Sequence, residues 1–263
     1  MIQNKNKIDK QNINENKKQY EYFLKQKNGE QLVELEKKLQ EIGNNIRNSN
    51  LKQPYKFNIK DLSTLMSWKL KRGVHRPSLE KLIQQNQDSL VQEQFGLVFK
   101  DLFGKKEISK EEVGKALDQI CVLKGVGPAT GSKVLSLINP YIPFMSDEAL
   151  KCNGLQLQYN KSTYFKLYEK IFEQSKEQNY DITCEDLEIY FWVQIQQQKS
   201  NNLKKIKGQI NNGNQHSQQK RKQKTQKQNY IVLDDEEESS NKQKLNQKNN
   251  DLKIQSKRKK LND

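Results

Sequence analysis

From residue 32 onward, hydrophobic residues recur at steps of three and four, the spacing of one helical face. Leu32, Leu35, Leu39, Ile42 and Ile46 make the first stripe, and Pro54 closes it off from the next. Residues 58–71 repeat the pattern with Ile59, Leu62, Leu65, Met66 and Leu70. Pro77 opens a helix over 77–86, because a first helical position needs no N–H. Residues 88–103 carry Leu90, Val91, Phe95, Val98, Phe99 and Leu102. Ser109, followed by Lys110-Glu111-Glu112, predicts an N-cap with acid in the first turn of a helix reaching about Val122. Pro128 begins another, to about Ile138. Ser146 caps a short one at Asp147-Glu148, and two more cover 161–178 and 184–198. The run from Leu187 to Ile195 is nearly continuous apolar, which by period alone fits a strand as well as a helix. Its length and its helical neighbours favour a buried helix, so the chain reads as all-α.

The flanks break this pattern. Of 263 residues, 47 are Lys or Arg and 32 are Asp or Glu, a formal net charge of +15. Residues 57–198 hold 18 of each sign, whereas residues 1–56 carry 12 basic and 7 acidic and residues 199–263 carry 17 and 7. The basic excess therefore belongs wholly to the flanks. Residues 199–263 contain 21 Asn or Gln and only 11 hydrophobic residues, too few to bury a core, which predicts disorder. The same criterion marks residues 1–29 as disordered and polar. The expected plan is a disordered 1–29, an amphipathic helix and linker over 30–56, a helical domain over 57–198 and a disordered basic tail over 199–263.

No stretch approaches the ~20 apolar residues that span a bilayer, and the N-terminus lacks the apolar centre of a signal peptide. The expectation is an intracellular chain with no membrane partner. Cys121, Cys152 and Cys184 stand more than 30 residues apart and only His75 and His216 could assist them. That spacing is neither a disulfide framework nor a zinc or iron–sulfur set, so no metal and no cofactor are expected.

The sharpest local signal is Leu123-Lys124-Gly125-Val126-Gly127-Pro128-Ala129-Thr130-Gly131, between two predicted helices. Gly125 and Gly127 open backbone angles closed to other residues and leave the turn bare. The amides of the turn and of the following helix start can then meet an anion, here a phosphate. Val126 plugs the turn onto the core, Gly131 lets the second helix lie close to a neighbour, and Lys124 and Lys133 add charge. A tight helix–helix turn with no ligand is the plainer alternative. No strand precedes the glycines, which excludes a dinucleotide-binding fold.

This stretch resembles the helix-hairpin-helix motif, and the resemblance extends to the helix-hairpin-helix DNA glycosylase superfamily over about 57–150. In that superfamily the second hairpin helix leads through a short loop to a catalytic Asp. Here Ile142-Pro143-Phe144-Met145-Ser146-Asp147-Glu148 occupies that place, with Asp147 22 residues after Gly125. The resemblance implies a glycosylase-like helical domain, double-stranded DNA as partner, DNA contacts from Lys124, Gly125, Val126, Gly127, Ala129, Thr130 and Lys133, and a catalytic place for Asp147. The departures count against catalysis. Ala129 stands where the bifunctional members carry a nucleophilic Lys, which disfavours a Schiff-base lyase, and Glu-Ala-Leu follows Asp147 in place of Thr-His-Val. Ser146-Asp147-Glu148 is also an ordinary helix start.

Trp68-Lys69-Leu70-Lys71-Arg72-Gly73-Val74-His75-Arg76-Pro77 is the one basic cluster of the neutral middle. Lys69, Lys71, Arg72 and Arg76 could bind a second stretch of phosphate backbone, or simply complement a helix C-terminus. In the tail, Gln219–Lys224 and Lys257–Lys260 resemble nuclear-import signals. Between them, Ile231-Val232-Leu233-Asp234-Asp235 resembles a SUMO-interacting motif, a short apolar strand that adds to a sheet edge with acids beside it. The sequence thus points to a nuclear, non-catalytic DNA-binding accessory subunit of a DNA modification, repair or chromatin assembly. Its two rivals are a monofunctional DNA glycosylase using Asp147 and a protein-interaction scaffold whose tail binds SUMO.

Overall fold

The computed structural model describes the backbone of residues 8–213 and the side chains of residues 8–204. Ile231, Val232, Leu233, Asp234, Asp235 and both import-like stretches lie outside the described residues. Among the described residues all regular structure is helical. The helices are α1 (Lys10–Asn48), α2 (Ile59–Arg72), α3 (Pro77–Ile83), α4 (Asp88–Leu102), α5 (Lys110–Ile120), α6 (Pro128–Ile138), α7 (Asp147–Cys152), α8 (Lys161–Glu177) and α9 (Cys184–Gly213). None of them is long and apolar enough to cross a membrane. The chain divides into two units, Met1–Ser200 and Asn201–Asp263, and of the second the described part is the end of α9.

The caps fall where side-chain chemistry puts them. Asn58 and Glu112 take part in capping boxes, with Asp61 and Ser109 as the reciprocal partners. Pro77 and Pro128 occupy first-turn positions.

The centre of the first unit is α6. Every residue from Ala129 to Ile138 is buried, because α1, α2, α4, α5 and α8 all pack around it. The α5–α6 approach is close. A Cβ on Gly131 would stand 2.9 Å from Leu117 Cδ1, 3.0 Å from Ile120 Cγ2 and 3.1 Å from Cys121 Sγ. Polar residues inside this helix bond locally. The Ser132 and Ser136 hydroxyls donate to the carbonyls of Ala129 and Lys133. The Ser132 hydroxyl also accepts from the Met145 amide at 3.0 Å, which fastens the segment leading to Asp147 onto α6.

Two boundaries differ most from the sequence reading, while α3 stops at Ile83 rather than at residue 86. Residues 10–27, expected to be disordered, are helical and packed. Ile13, Tyr20 and Leu24 are buried, and the Tyr20 ring meets Trp192 of α9 edge-on at 5.2 Å. This part joins the rest of α1 through a break at Asn28-Gly29, where Gly29 takes φ +65°. Helix α9 likewise continues past residue 198 to Gly213. The Leu187–Ile195 run is helix, with Trp192 and Val193 fully buried.

Candidate functional site

The turn between α5 and α6 is held from three directions. Gly125 takes φ +78°, a left-handed angle that suits glycine, and a Cβ there would come within 3.0 Å of Leu82 Cβ. Val126 is buried beneath it. Asn86, just past α3, clasps the turn from outside. Its Nδ2 donates to the Lys124 carbonyl at 2.9 Å, and its Oδ1 accepts from the Lys124 amide at 2.8 Å. Gly127 is exposed, with no atom within 4 Å of where its Cβ would stand. The amides of Thr130 and Gly131 bond back to the Gly127 carbonyl at 2.9 and 2.8 Å. Among the described residues no protein acceptor meets the amides of Gly125, Gly127 and Ala129.

A cleft of about 180 Å³ opens beside this turn. One wall is the turn and the start of α6, from Gly125 to Thr130. Another is the end of α2 and the loop after it, with Lys69 and Arg76. The third is the Phe144–Glu148 segment, with Tyr159 beyond it. Three stretches singled out separately in the sequence therefore line one concavity.

Asp147 is half-buried at the first position of α7, and Ser146 caps that helix through the Ala149 amide. The carboxylate has a partner that the sequence reading missed: the Tyr159 hydroxyl donates to Asp147 Oδ1 at 2.7 Å. Burial and then Asp147 push the Tyr159 pKa up, so the phenol stays protonated and keeps donating. The Arg76 guanidinium lies 5.5 Å from the Tyr159 ring centroid.

The cations sort into those that face the cleft and those that do not. Lys124 and Arg76 are exposed. Lys69 is half-buried, lines the cleft, and its ammonium has no hydrogen bond or ion pair among the described residues. Lys71 donates to Gln31 at 3.0 Å and is no part of the cleft wall.

Arg72 and Lys133 require correction as phosphate contacts, because both are buried. Arg72 is only 3% exposed and forms a double hydrogen bond to Glu188, among the rings of Trp192, Trp68, Tyr20 and Phe144. Lys133 sits 5.0 Å from the Trp68 ring centroid and 3.8 Å from Glu185. Thr130 and Ala129 are buried too, so the start of α6 offers its backbone rather than its side chains.

Behind the cleft, Glu36 accepts from Trp68 Nε1 at 2.6 Å and from the Tyr20 hydroxyl at 2.8 Å, which fixes the Trp68 ring from α1. Among the described residues no three His, Cys, Asp or Glu side chains gather as a metal site would require. No protein-family model, no curated protein and no solved structure matches the chain.

Proposed function

We propose that this chain is a helix-hairpin-helix DNA-binding protein, acting in the nucleus as an accessory subunit of an assembly that modifies, repairs or packages DNA. The carrying observation is the shared cleft: the bare Gly125–Gly127 turn, the cations Lys69 and Arg76, and Asp147 all face it. Unpartnered amides and a helix start suit a phosphate, and the two cations extend the same field along a backbone. The basic flanks would add affinity without regard to sequence.

The test is duplex binding by the full chain at two salt concentrations, wild type against Gly127→Asp. Asp is a favoured N-cap and its site is sterically open, so the fold is kept while a negative charge is set against the phosphate. We expect affinity to fall about tenfold or more, with a shallower salt slope. Unchanged affinity would remove the turn from the interface and leave the tails as the source of binding.

A second reading, a monofunctional glycosylase, is favoured by one observation: Asp147 lies in the cleft wall with its carboxylate oriented by Tyr159 rather than on an open surface. Such a carboxylate could stabilise a cationic sugar and orient a water. Base release from damaged duplexes by wild type, lost in Asp147→Asn, would support it. SUMO binding by the tail remains a separate proposal, tested by pull-down of the full chain with and without Ile231, Val232 and Leu233.

A further inference from the structure

Helix α1 is two helices joined by a break. Asn28 leaves the helical region at φ −144° and ψ 28°, and Gly29 follows at φ +65° and ψ −163°, a conformation open in practice to glycine alone. A Cβ at Gly29 would meet no atom within 4 Å. The backbone angle, not crowding, is therefore what calls for glycine there. The Asn28 side-chain amide pins the break to the end of α2 through the Lys71 carbonyl, and Lys71 donates in turn to Gln31 at 3.0 Å.

Residues 10–27, ahead of the break, are held by a short set of contacts. Their fully buried apolar side chains are Ile13, Tyr20 and Leu24. Asn16 Oδ1 accepts from Gln194 at 3.2 Å, Gln19 Oε1 accepts from Gln197 at 3.0 Å, and Lys17 pairs with Asp186, all on α9. The Tyr20 hydroxyl donates to Glu36 at 2.8 Å, and its ring meets Trp192. Each of these partners comes after the break in the chain. The groove they form is costly to leave empty. Bare, it would open the fully buried Trp192 to water and take the Tyr20 donor away from the buried Glu36.

The same segment of a second copy fits that groove as well as the chain's own, because every one of these contacts is made again across the two chains. The break decides which groove is filled. No proline interrupts residues 25–32, so a helical Asn28-Gly29 makes α1 one rod of 39 residues, about 58 Å long. A straight α1 no longer turns its first half onto its own α9.

We infer that residues 10–27 are an exchangeable arm: two copies of this chain straighten α1 at Asn28-Gly29 and swap arms, each filling the α9 groove of the other. The inference goes beyond the DNA-binding reading and does not depend on it. Its consequence is a closed dimer that carries two clefts in one particle.

The experiment uses the full chain in two forms, one labelled with heavy nitrogen. They are mixed in urea, refolded together at several concentrations and separated by size. A carbodiimide then joins the Lys17 amine to the Asp186 carboxylate as an amide, and the linked peptides are weighed. The monomer should give links within one isotope only. In the dimer, about half of the links should pair a light peptide with a heavy one. Gly29→Ala, which disfavours the break, should raise the ratio of dimer to monomer about tenfold or more. Glu30→Pro suits the first turn after the break but not the interior of a straight helix, and should lower that ratio about tenfold or more.

A dimer whose links stay within one isotope forms through another surface and overturns the inference. So does a wild-type chain that remains monomeric at every concentration, or Glu30→Pro dimerising as wild type does. Absence of the Lys17–Asp186 link from monomer and dimer alike would mean that the arm does not dock on α9, and overturns it as well. If Gly29→Ala fails to fold, wild type and Glu30→Pro still decide the matter. None of these outcomes alters the duplex-binding test above.

Discussion

Arg72 and Glu188 lie face to face inside the protein, joined by two parallel hydrogen bonds of 2.9 Å. Burial works against the arginine charge, but Glu188, together with Tyr20 and Glu148, outweighs it, and the net effect holds Arg72 more firmly protonated than in water. The pair ties the end of α2 to α9, and so stands behind one wall of the cleft. Removing one partner strands the other charge in an apolar setting. We predict that Glu188→Gln lowers unfolding free energy by about 3–5 kcal/mol, whereas the paired change Arg72→Met with Glu188→Leu costs much less. Denaturant unfolding of the three proteins checks this, and equal losses in both variants would mean that the charges themselves stabilise the fold.

The two glycines of the turn should behave differently. Gly125 takes a left-handed angle and faces Leu82 and Ile83 closely, whereas Gly127 is extended and sterically open. Gly125→Ala should therefore destabilise by roughly 1–3 kcal/mol, from backbone strain and crowding together. Gly127→Ser, which places a good N-cap, should change stability by less than about 0.5 kcal/mol. Thermal unfolding of both variants tests the contrast, and a similar cost at both positions would contradict the geometry of the turn.

How much of this was legible in the sequence follows from the range of the interactions. Helices α2 to α8 announce themselves by caps and stripes that act over three or four residues, as Ser109 with Glu112 does. The turn is legible for the same reason. Residues 10–27 are not, because Asn16 interrupts their buried series of Ile13, Tyr20 and Leu24. That Asn is answered by Gln194, 178 residues away, and nothing local signals such a partner. Lys69 and Arg72 look alike in the sequence, three residues apart with the same charge. The distant Glu188 makes Arg72 a buried, paired cation, whereas the Lys69 ammonium has no hydrogen bond or ion pair among the described residues, although both residues line the cleft. Asn86 and Tyr159 escaped notice because their tasks, holding the turn and orienting Asp147, exist only after the chain has folded.

Acid should act on the Glu112 capping box in a defined window. The Lys105 ammonium, 2.6 Å away, and then the Ser109 amide hold the Glu112 carboxyl down at about 2, from an ordinary 4.5. The unfolded chain therefore takes up this proton first as pH falls. The carboxylate's contribution is complete above 4.5, shrinks as pH drops toward about 2, and is absent below that. The group is well exposed, so water screens the effect to less than about 1 kcal/mol. Subtracting the stability of Glu112→Gln from that of wild type across this range should show the decline, and a flat difference would exclude the assigned partners.

Asn86 carries the last and most local prediction. Its side chain, 9% exposed, holds both the amide and the carbonyl of Lys124 and also donates to the Ile83 carbonyl at 2.9 Å. It thereby stands in for the pairing that a turn cannot supply to itself. Asn86→Ala leaves the Lys124 groups without their partner and should cost about 2–3 kcal/mol. Hydrogen exchange should localise the damage, with the Lys124 amide exchanging faster while amides in the middle of α6 keep their protection. Asn86→Asp retains the acceptor for the Lys124 amide but loses the donor to its carbonyl, so exchange at that amide should rise less than in Asn86→Ala. If the turn grips phosphate as proposed, duplex affinity should fall in both variants although Asn86 is no part of the cleft wall. Unaltered affinity with a loosened Lys124 would separate the shape of the turn from DNA binding.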